Sequence, residues 1–291
     1  MMNKLVIKSK LIIRRLLNEV LGLAYMKEYE KYGKEKLNHQ PIFIIGAPRT
    51  GSTILYQALT NYYDVSYIDN CVDKWHRNLF YGFKKSHKNF GNKPHNVFKA
   101  EFGSTSKFSE HAPSECGGFW YRWLPKDRHF VDANEISQKS KEQLYAEVCA
   151  VTNYFDKPLM FKNLNVGQRL RFIKEVFPDA RFIYIKRSHE NVIESILKGR
   201  KKLGIKKNKW WGIKPRSYLD LLHLDEYEMV SEGIKKIEEQ IEKDLNLFDI
   251  KITLHYDNLS DRGMFDLGEL FNLNQRDGKP SLPKFRKDKG C

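Results

Sequence analysis

The chain has 291 residues, of which 41% are hydrophobic and 13% aromatic, a composition typical of globular proteins. This length can bury the core of one α/β domain or of two small domains. The formal net charge of +15 favours an anionic ligand, an anionic membrane surface or a nucleic acid as partner. We expect no nucleic-acid partner, because the sequence has neither zinc-finger spacing nor an RNA-recognition signature. Four scattered cysteines without a C-x-x-C pair predict a reducing compartment and argue against a zinc site.

Residues 1–40 are predicted to form a basic amphipathic helix followed by a linker. Apolar residues recur at helical spacing over 4–23 with lysines and arginines between them, and the lysine-rich stretch 27–40 reads as a linker or a polar helix end. Basic amphipathic helices can lie on anionic membranes. We therefore expect either peripheral membrane contact through 4–23 or a helix that packs on the domain or stays mobile. No apolar run is long enough to predict a membrane-spanning helix.

From residue 41 onward, apolar runs alternate with amphipathic segments. Strands are predicted at 41–45, 65–68, 159–162, 181–186 and 251–256, and helices at roughly 52–62, 141–154, 166–176, 190–203, 227–247 and 263–271. This alternation predicts an α/β fold of three layers, with a mostly parallel central sheet and helices on both faces. Ligands of such sheets bind outside the carboxyl ends of the strands.

The segment PIFIIGAPRTGST, residues 41–53, is the most informative part of the sequence. An apolar strand leads into a turn that contains Gly46 and Gly51, and a helix is expected to begin at Ser52. Backbone N–H groups in this arrangement bind phosphate groups. The spacing fits a P-loop, but Ser52 stands where a nucleotide triphosphatase has its lysine, and the basic residue is Arg49. We therefore expect a site for a phosphate-like group that lacks the usual γ-phosphate ligand.

A second phosphate-binding pattern occurs in FPDARFIYIKRSHENVIESILKGR, residues 177–200. Arg187 stands at the carboxyl end of a predicted strand, and Ser195 follows two turns into a predicted helix. A guanidinium can bind a phosphate through two hydrogen bonds, and a serine hydroxyl can add a neutral donor. Both patterns lie at the ends of predicted strands, so they should meet at one edge of the sheet.

Together these two patterns resemble the sulfotransferases that use 3′-phosphoadenosine-5′-phosphosulfate (PAPS). The resemblance implies a P-loop-like nucleotide-binding fold over 41–291, PAPS as co-substrate and no metal. It also implies two groups of PAPS ligands. The 5′-phosphosulfate would be held by Arg49, Thr50, Gly51, Ser52 and Thr53, and the 3′-phosphate by Arg187 and Ser195. Near the end of the chain, Arg286 and Lys287 resemble the family's loop that covers the 3′-phosphate.

The resemblance leaves the catalytic base open. Residues 158–164, PLMFKNL, are similar to the family's strand that ends in a lysine near the acceptor, here Lys162. The histidine that cytosolic members place two residues later is replaced by Leu164, and other branches use a glutamate. Because the base must reach the acceptor hydroxyl, a segment dense in titratable groups is the natural place for it. The candidates are, in order, Glu115, His111 and Glu110, with Asp69 as a further one.

The aromatic, glycine- and serine-rich stretch of about 70–155 is expected to be an insertion that shapes the acceptor pocket. Residues 119–123 are suited to a sugar or another flat group, and Trp210 and Trp211 either wall the acceptor site or cap the core. The implied acceptor is the hydroxyl of a glycan, glycolipid or lipid-linked precursor. Golgi sulfotransferases have a membrane anchor, so the lack of one predicts a bacterial cytoplasmic enzyme. The alternatives are a kinase with a degenerate P-loop and a non-catalytic membrane-peripheral binding protein.

Overall fold

The computed structural model describes Leu16 and residues 25–285. One sheet of five strands forms its centre, in the order β2-β3-β1-β4-β5, and all neighbouring strands are parallel. The strands are β1 (Ile42–Gly46), β2 (Ser66–Tyr67), β3 (Leu159–Lys162), β4 (Arg181–Lys186) and β5 (Lys251–His255). The predicted α/β fold with a parallel sheet is confirmed.

Helices precede the sheet and connect its strands. They are α1 (Met26–Gly33), α2 (Ser52–Tyr62), α3 (Asn70–Asp73), α4 (Leu79–Phe90), α5 (Gly117–Trp120), α6 (Gln138–Phe155), α7 (Leu170–Val176), α8 (His189–Lys202), α9 (Glu226–Leu245) and α10 (Asp261–Leu270). Single 3₁₀ turns occupy Ala133–Glu135, Leu164–Gln168, Tyr218–Leu221 and Tyr256–Asn258. The helix α1 covers the first part of the stretch 27–40, which the sequence left open as a linker or a polar helix end. The sequence missed α4, which carries an interior glycine among mixed aromatic and basic residues.

Alternate residues of the strands point to opposite faces of the sheet, as the pleat of a β-strand requires. Phe43 and Ile45 of β1 pack on one face, and Ile42 and Ile44 pack on the other. The first face is covered by α6, α7, α8 and α9, and the second by α2 and α10. All five residues of β1 are buried, since this strand has neighbours on both edges and helices on both faces.

The connection from β2 to β3 spans residues 68–158 and carries α3 to α6. It runs past the carboxyl ends of the strands, the edge at which ligands bind in parallel sheets. Asp69 at its start forms an isolated bridge with Pro113. The part expected to shape a pocket therefore returns to the sheet edge beside β2.

The expected amphipathic helix over 4–23 lies outside the described residues except for Leu16. Membrane contact through that segment therefore stays a prediction. Within residue 16 and residues 25–285, none of the helices has the length and apolar character needed to cross a bilayer.

Candidate active site

The turn between β1 and α2 has the shape of an anion-binding loop. Arg49 and Gly51 both adopt left-handed backbone conformations, with φ of 69° and 87°, and α2 begins immediately after them at Ser52. The Thr50 hydroxyl donates to the Ala47 carbonyl at 2.9 Å, which closes the turn. A Cβ at position 51 would lie 2.4 Å from the ring of Tyr256. Only glycine fits both the conformation and the space.

The two phosphate-binding patterns of the sequence meet at this turn. Nε of Arg49 donates to the Ser195 hydroxyl at 3.0 Å, and Nη1 of Arg187 donates to the Arg49 carbonyl at 3.1 Å. The Arg187 guanidinium also lies 4.7 Å from the centre of the Tyr256 ring. Burial and the charge of Arg187 lower the pKa of Arg49, because both disfavour its protonated form. An anion bound between these guanidiniums would offset that repulsion.

A buried lysine links the loop to a carboxylate. The Lys162 side chain, at the end of β3, is 2% exposed, and its Nζ contacts the Glu115 carboxylate. The same Nζ donates to the Thr53 hydroxyl at 3.1 Å. Cys116 is left-handed, with φ of 45°, and Asn163 donates to the Glu115 carbonyl at 3.2 Å. These constraints hold Glu115 beside the first turn of α2.

The two arginines, Lys162, Thr53 and Glu115 line a single cleft of about 620 Å³, whereas Ser195 is not part of its lining. Glu115 is the only carboxylate among the described residues of its lining. His129 also lines the cleft, but its Nδ1 accepts a hydrogen bond from the Lys214 N–H at 2.8 Å, which leaves the proton on Nε2. Burial and the nearby Arg169 lower the pKa of His129 to about 4. His129 is therefore neutral at pH 7 and has no free lone pair for a proton, whereas Glu115 can accept one.

A profile of the sulfotransferase family matches residues 41–261, about three quarters of the chain. The chain belongs to the sulfotransferase family. Its fold is similar to that of the sulfotransferase STF1 from Mycobacterium tuberculosis H37Rv, at a TM-score of 0.54 and 17% identity, over 91% of this chain and 74% of the other. The fold is also similar to that of the sulfotransferase STF9 from Mycobacterium avium, at a TM-score of 0.54 and 12% identity, over 89% of this chain and 69% of the other. No curated protein sequence matches the chain.

The other candidate bases of this sulfotransferase lie away from the cleft. The His111 ring stacks on Phe90 at 4.4 Å between centroids, and burial and Arg276 lower its pKa to about 4. Asp69 caps α3 by accepting the Val72 N–H at 2.7 Å, and burial raises its pKa to about 6. Glu110 forms an ion pair with Lys74 at the surface. Packing on Phe90 places His111 outside the cleft lining, so its catalytic role stays a prediction and Glu115 is the candidate that the geometry favours.

The aromatic residues singled out in the sequence divide between core and cleft. Tyr121 and Trp211 line the cleft, whereas Phe119 and Trp120 are buried in the core. Trp210 packs against Gly233, so it caps the core as the alternative interpretation expected. Arg286 and Lys287 lie outside the described residues, and their role stays a prediction.

Sequence reasoning missed the hairpin 101–104, which covers the junction of Glu115 and Lys162. Phe102 and Gly103 are both left-handed, with φ of 49° and 90°. A Cβ at Gly103 would lie 3.5 Å from Oε1 of Glu115 and 3.9 Å from Nζ of Lys162. A side chain at position 103 would therefore contact the Glu115 carboxylate. The only feature of the sequence that could have indicated this turn was Gly103, which stands in a stretch without periodicity.

The turn at Gly51 predicts a specific stability difference between two glycine variants. Gly204 has φ of 64°, and no atom lies within 4 Å of the place that a Cβ would occupy, so Gly204→Ala meets left-handed strain alone, about 1 kcal/mol. Gly51→Ala meets similar strain and also the Tyr256 ring, which adds about 1–3 kcal/mol. Urea unfolding of both variants measures the difference. If both variants lost the same free energy of unfolding, the contact between Gly51 and Tyr256 would not be tight.

The buried histidines lead us to predict that the free energy of unfolding rises with pH. Burial is the main cause that lowers the pKa of His95 to about 3 and the pKa of His111 and His129 to about 4, so below pH 6.5 the unfolded chain binds more protons. Asp69 acts in the opposite sense over about pH 4–6, because its pKa is raised in the folded state. Three histidines and Asp69 alone leave a net difference of about two protons, or about 2–3 kcal/mol per pH unit near pH 5. Burial also raises the pKa of Glu147 and Glu238, which reduces the expected rise in the free energy of unfolding to about 1–2 kcal/mol per pH unit.

Urea titrations at pH 4.5, 5.5 and 6.5 measure this gradient. Asp69→Asn removes one opposing group and should make the gradient steeper between pH 4 and 6. A flat profile, or a gradient that Asp69→Asn leaves unchanged, contradicts the assigned protonation states.

Proposed function

We propose that this sulfotransferase moves a sulfuryl group from PAPS to an acceptor hydroxyl at the junction of Thr53, Lys162 and Glu115. The contact of Lys162 with both Thr53 and Glu115 carries the proposal, because it joins the anion-binding loop to the only carboxylate of the described cleft lining. A donor anion and a proton acceptor are thereby brought to one point.

The donor would lie across the carboxyl ends of β1 and β4. The N-terminus of α2 and Arg49 would bind its 5′-phosphosulfate, since this helix end offers N–H donors and a positive dipole. Arg187 and Ser195, which lie around the same loop, would bind the 3′-phosphate. The cleft volume of about 620 Å³ is within the range of pockets for ligands of this size.

Transfer would proceed by attack of the acceptor oxygen on sulfur. As the new S–O bond forms, the bond between sulfur and the bridging oxygen of the donor breaks, and Glu115 takes the hydroxyl proton. Negative charge then develops on the departing nucleotide. Lys162 and Arg49 line the cleft and would stabilise it, each by about 3–4 kcal/mol. No described group of three metal-ligating side chains stands together, and the proposed steps need no metal.

The acceptor class we propose is a hydroxyl of a glycan, glycolipid or lipid-linked precursor. Phe98, Phe102, Tyr121 and Trp211 line the cleft and offer aromatic surface to a sugar ring or an acyl group. A bacterial cytoplasmic enzyme with peripheral membrane contact would meet such precursors. The hairpin 101–104 lies beside Glu115, and because Gly103 has no side chain, it would leave room for an acceptor hydroxyl at that carboxylate.

Arg187→Ala is expected to weaken binding of 3′-phosphoadenosine-5′-phosphate by about 10- to 100-fold, the value of a hydrogen-bonded charge. The matched control is Lys186→Ala, which removes a charge one residue away that is paired with Glu242 outside the cleft. Isothermal titration calorimetry of both variants, with ADP as the reference ligand, measures the effect. Unchanged affinity in Arg187→Ala, or equal losses in both variants, would contradict the 3′-phosphate site.

Glu115→Gln is expected to lower the rate of transfer by about 10²–10⁴-fold with donor affinity nearly unchanged, because the amide keeps the shape and cannot take the proton. The control is His111→Phe, which preserves the stack on Phe90 and should keep activity within about twofold. Transfer of a radiolabelled sulfuryl group into glycan and lipid extracts measures both. An active Glu115→Gln variant, or an inactive His111→Phe variant that is still folded, would overturn the choice of base.

A further inference from the structure

A second cavity, of about 590 Å³, lies next to the cleft on the side of α1, α5 and α6. Tyr121 lines both spaces. Its hydroxyl is at the cleft end, where Asn165 donates to it at 3.2 Å and Nε2 of His129 lies 3.4 Å away. The ring of Tyr121 is the wall that the two cavities share. A chain-like ligand that passes Tyr121 would therefore contact both.

Cations dominate the lining of the second cavity. Arg77, Arg122 and Lys126 line it together with one carboxylate, that of Glu147. Nη1 of Arg122 already donates to that carboxylate at 2.8 Å and to the His76 carbonyl at 3.0 Å. Within residues 25–285, neither Arg77 nor Lys126 has an ion-pair partner, and both are exposed. Two positive charges therefore remain available to a ligand.

The remaining lining supplies aromatic and amide groups. Tyr29, Tyr121 and Trp123 line the cavity, and Gln143 of α6 adds an exposed amide. The Arg122 guanidinium lies 4.5 Å from the Trp123 ring and supports it from one side. Apolar faces of sugar rings pack on aromatic rings, and amides and guanidiniums donate to their hydroxyls and acidic groups. An acidic sugar matches this set, whereas a neutral acyl chain would gain nothing from the two exposed positive charges.

We propose that the second cavity binds an acidic sugar of the acceptor, one residue or more away from the hydroxyl that is sulfated. This inference rests on the proposed function, and it identifies the acceptor as an anionic glycan. Arg77 and Lys126 bind the acid group, Trp123 packs on the ring, and the chain passes Tyr121 to present its hydroxyl to Glu115. The acid group is a carboxylate or a sulfate ester.

Direct binding to oligosaccharides of one length tests the proposal without turnover. The probes are a hyaluronan hexasaccharide with carboxylates, a chondroitin sulfate hexasaccharide with carboxylates and sulfates, and neutral chitohexaose, each measured by calorimetry against the full chain. We expect the acidic probes to bind at least tenfold more tightly than chitohexaose. Tighter binding of the sulfated probe assigns a sulfate ester, and equal binding of the two acidic probes assigns the carboxylate. Equal binding of all three probes, or no binding of the acidic ones, overturns the proposal.

A charge-matched pair of double variants separates the cavity from the general basic surface. Arg77→Ala with Lys126→Ala removes two charges from the cavity, and Lys201→Ala with Lys235→Ala removes two exposed charges that line neither space. The first pair should weaken acidic-probe binding at least tenfold and the second less than twofold. Equal weakening would mean diffuse attraction and would overturn the site.

The same variants separate failure of this site from failure of the proposed function. Both double variants should keep the thermal stabilisation that 3′-phosphoadenosine-5′-phosphate gives the unmodified chain. If that nucleotide stabilises none of the proteins, the proposed donor is wrong whatever the oligosaccharides do. If it stabilises all of them and the acidic probes do not bind, only the acidic-sugar site is wrong.

Discussion

The position of β1 between β3 and β4 is the constraint on which the whole site depends. Parallel pairing aligns Ile44 with Lys162 on one side and Gly46 with Ile185 on the other. The loop after β1 therefore emerges between Lys162 and Arg187, which end or follow its two neighbours. A slip of one residue in either pairing would turn Lys162 or the end of β4 to the other face of the sheet. The register of this buried strand therefore also determines where the residues of the site lie.

Charge and backbone conformation at this edge favour a bound anion. Arg49 and Arg187 lie close together, and burial together with the charge of Arg187 lowers the pKa of Arg49, so an anion bound here would stabilise its protonated form. Arg49 and Cys116 are both left-handed without being glycine, which costs about 1 kcal/mol or more at each position. Both conformations aim functional groups at the cleft, the Arg49 guanidinium directly and Glu115 through the turn at Cys116. Strain and repulsion are concentrated where the proposed chemistry takes place.

The fold, and the meeting of the two phosphate-binding patterns at one edge of the sheet, could be predicted from the sequence because their signals are local. The apolar runs of β1 and β4 mark buried strands, and Arg49, Arg187 and Ser195 stand at fixed offsets from them. The base was harder to rank, since Glu115, His111 and Asp69 carry similar chemistry in one stretch of sequence. Only packing separates Glu115, which contacts Lys162, from Asp69, which caps a helix.

The sequence predicts that the stretch of about 70–155 shapes a pocket, but not which residues of the long connection 68–158 reach the cleft. Gly103, Tyr121 and His129 reach the cleft through turns and short helices that leave no periodic pattern. The tautomer of His129 depends on the N–H of Lys214, a residue 85 positions away. Such long-range pairings follow from tertiary packing alone, which local sequence patterns do not encode.

The thermal stability of the purified protein with one of three nucleotides tests the central claim most directly. At a hundred times its dissociation constant, a ligand adds about 2.7 kcal/mol to the free energy of unfolding, which a melting curve resolves. Stabilisation by 3′-phosphoadenosine-5′-phosphate, and not by ADP or by ATP with Mg²⁺, is the result that a PAPS-binding cleft predicts. Stabilisation by ATP with Mg²⁺ alone would contradict it and would favour a kinase.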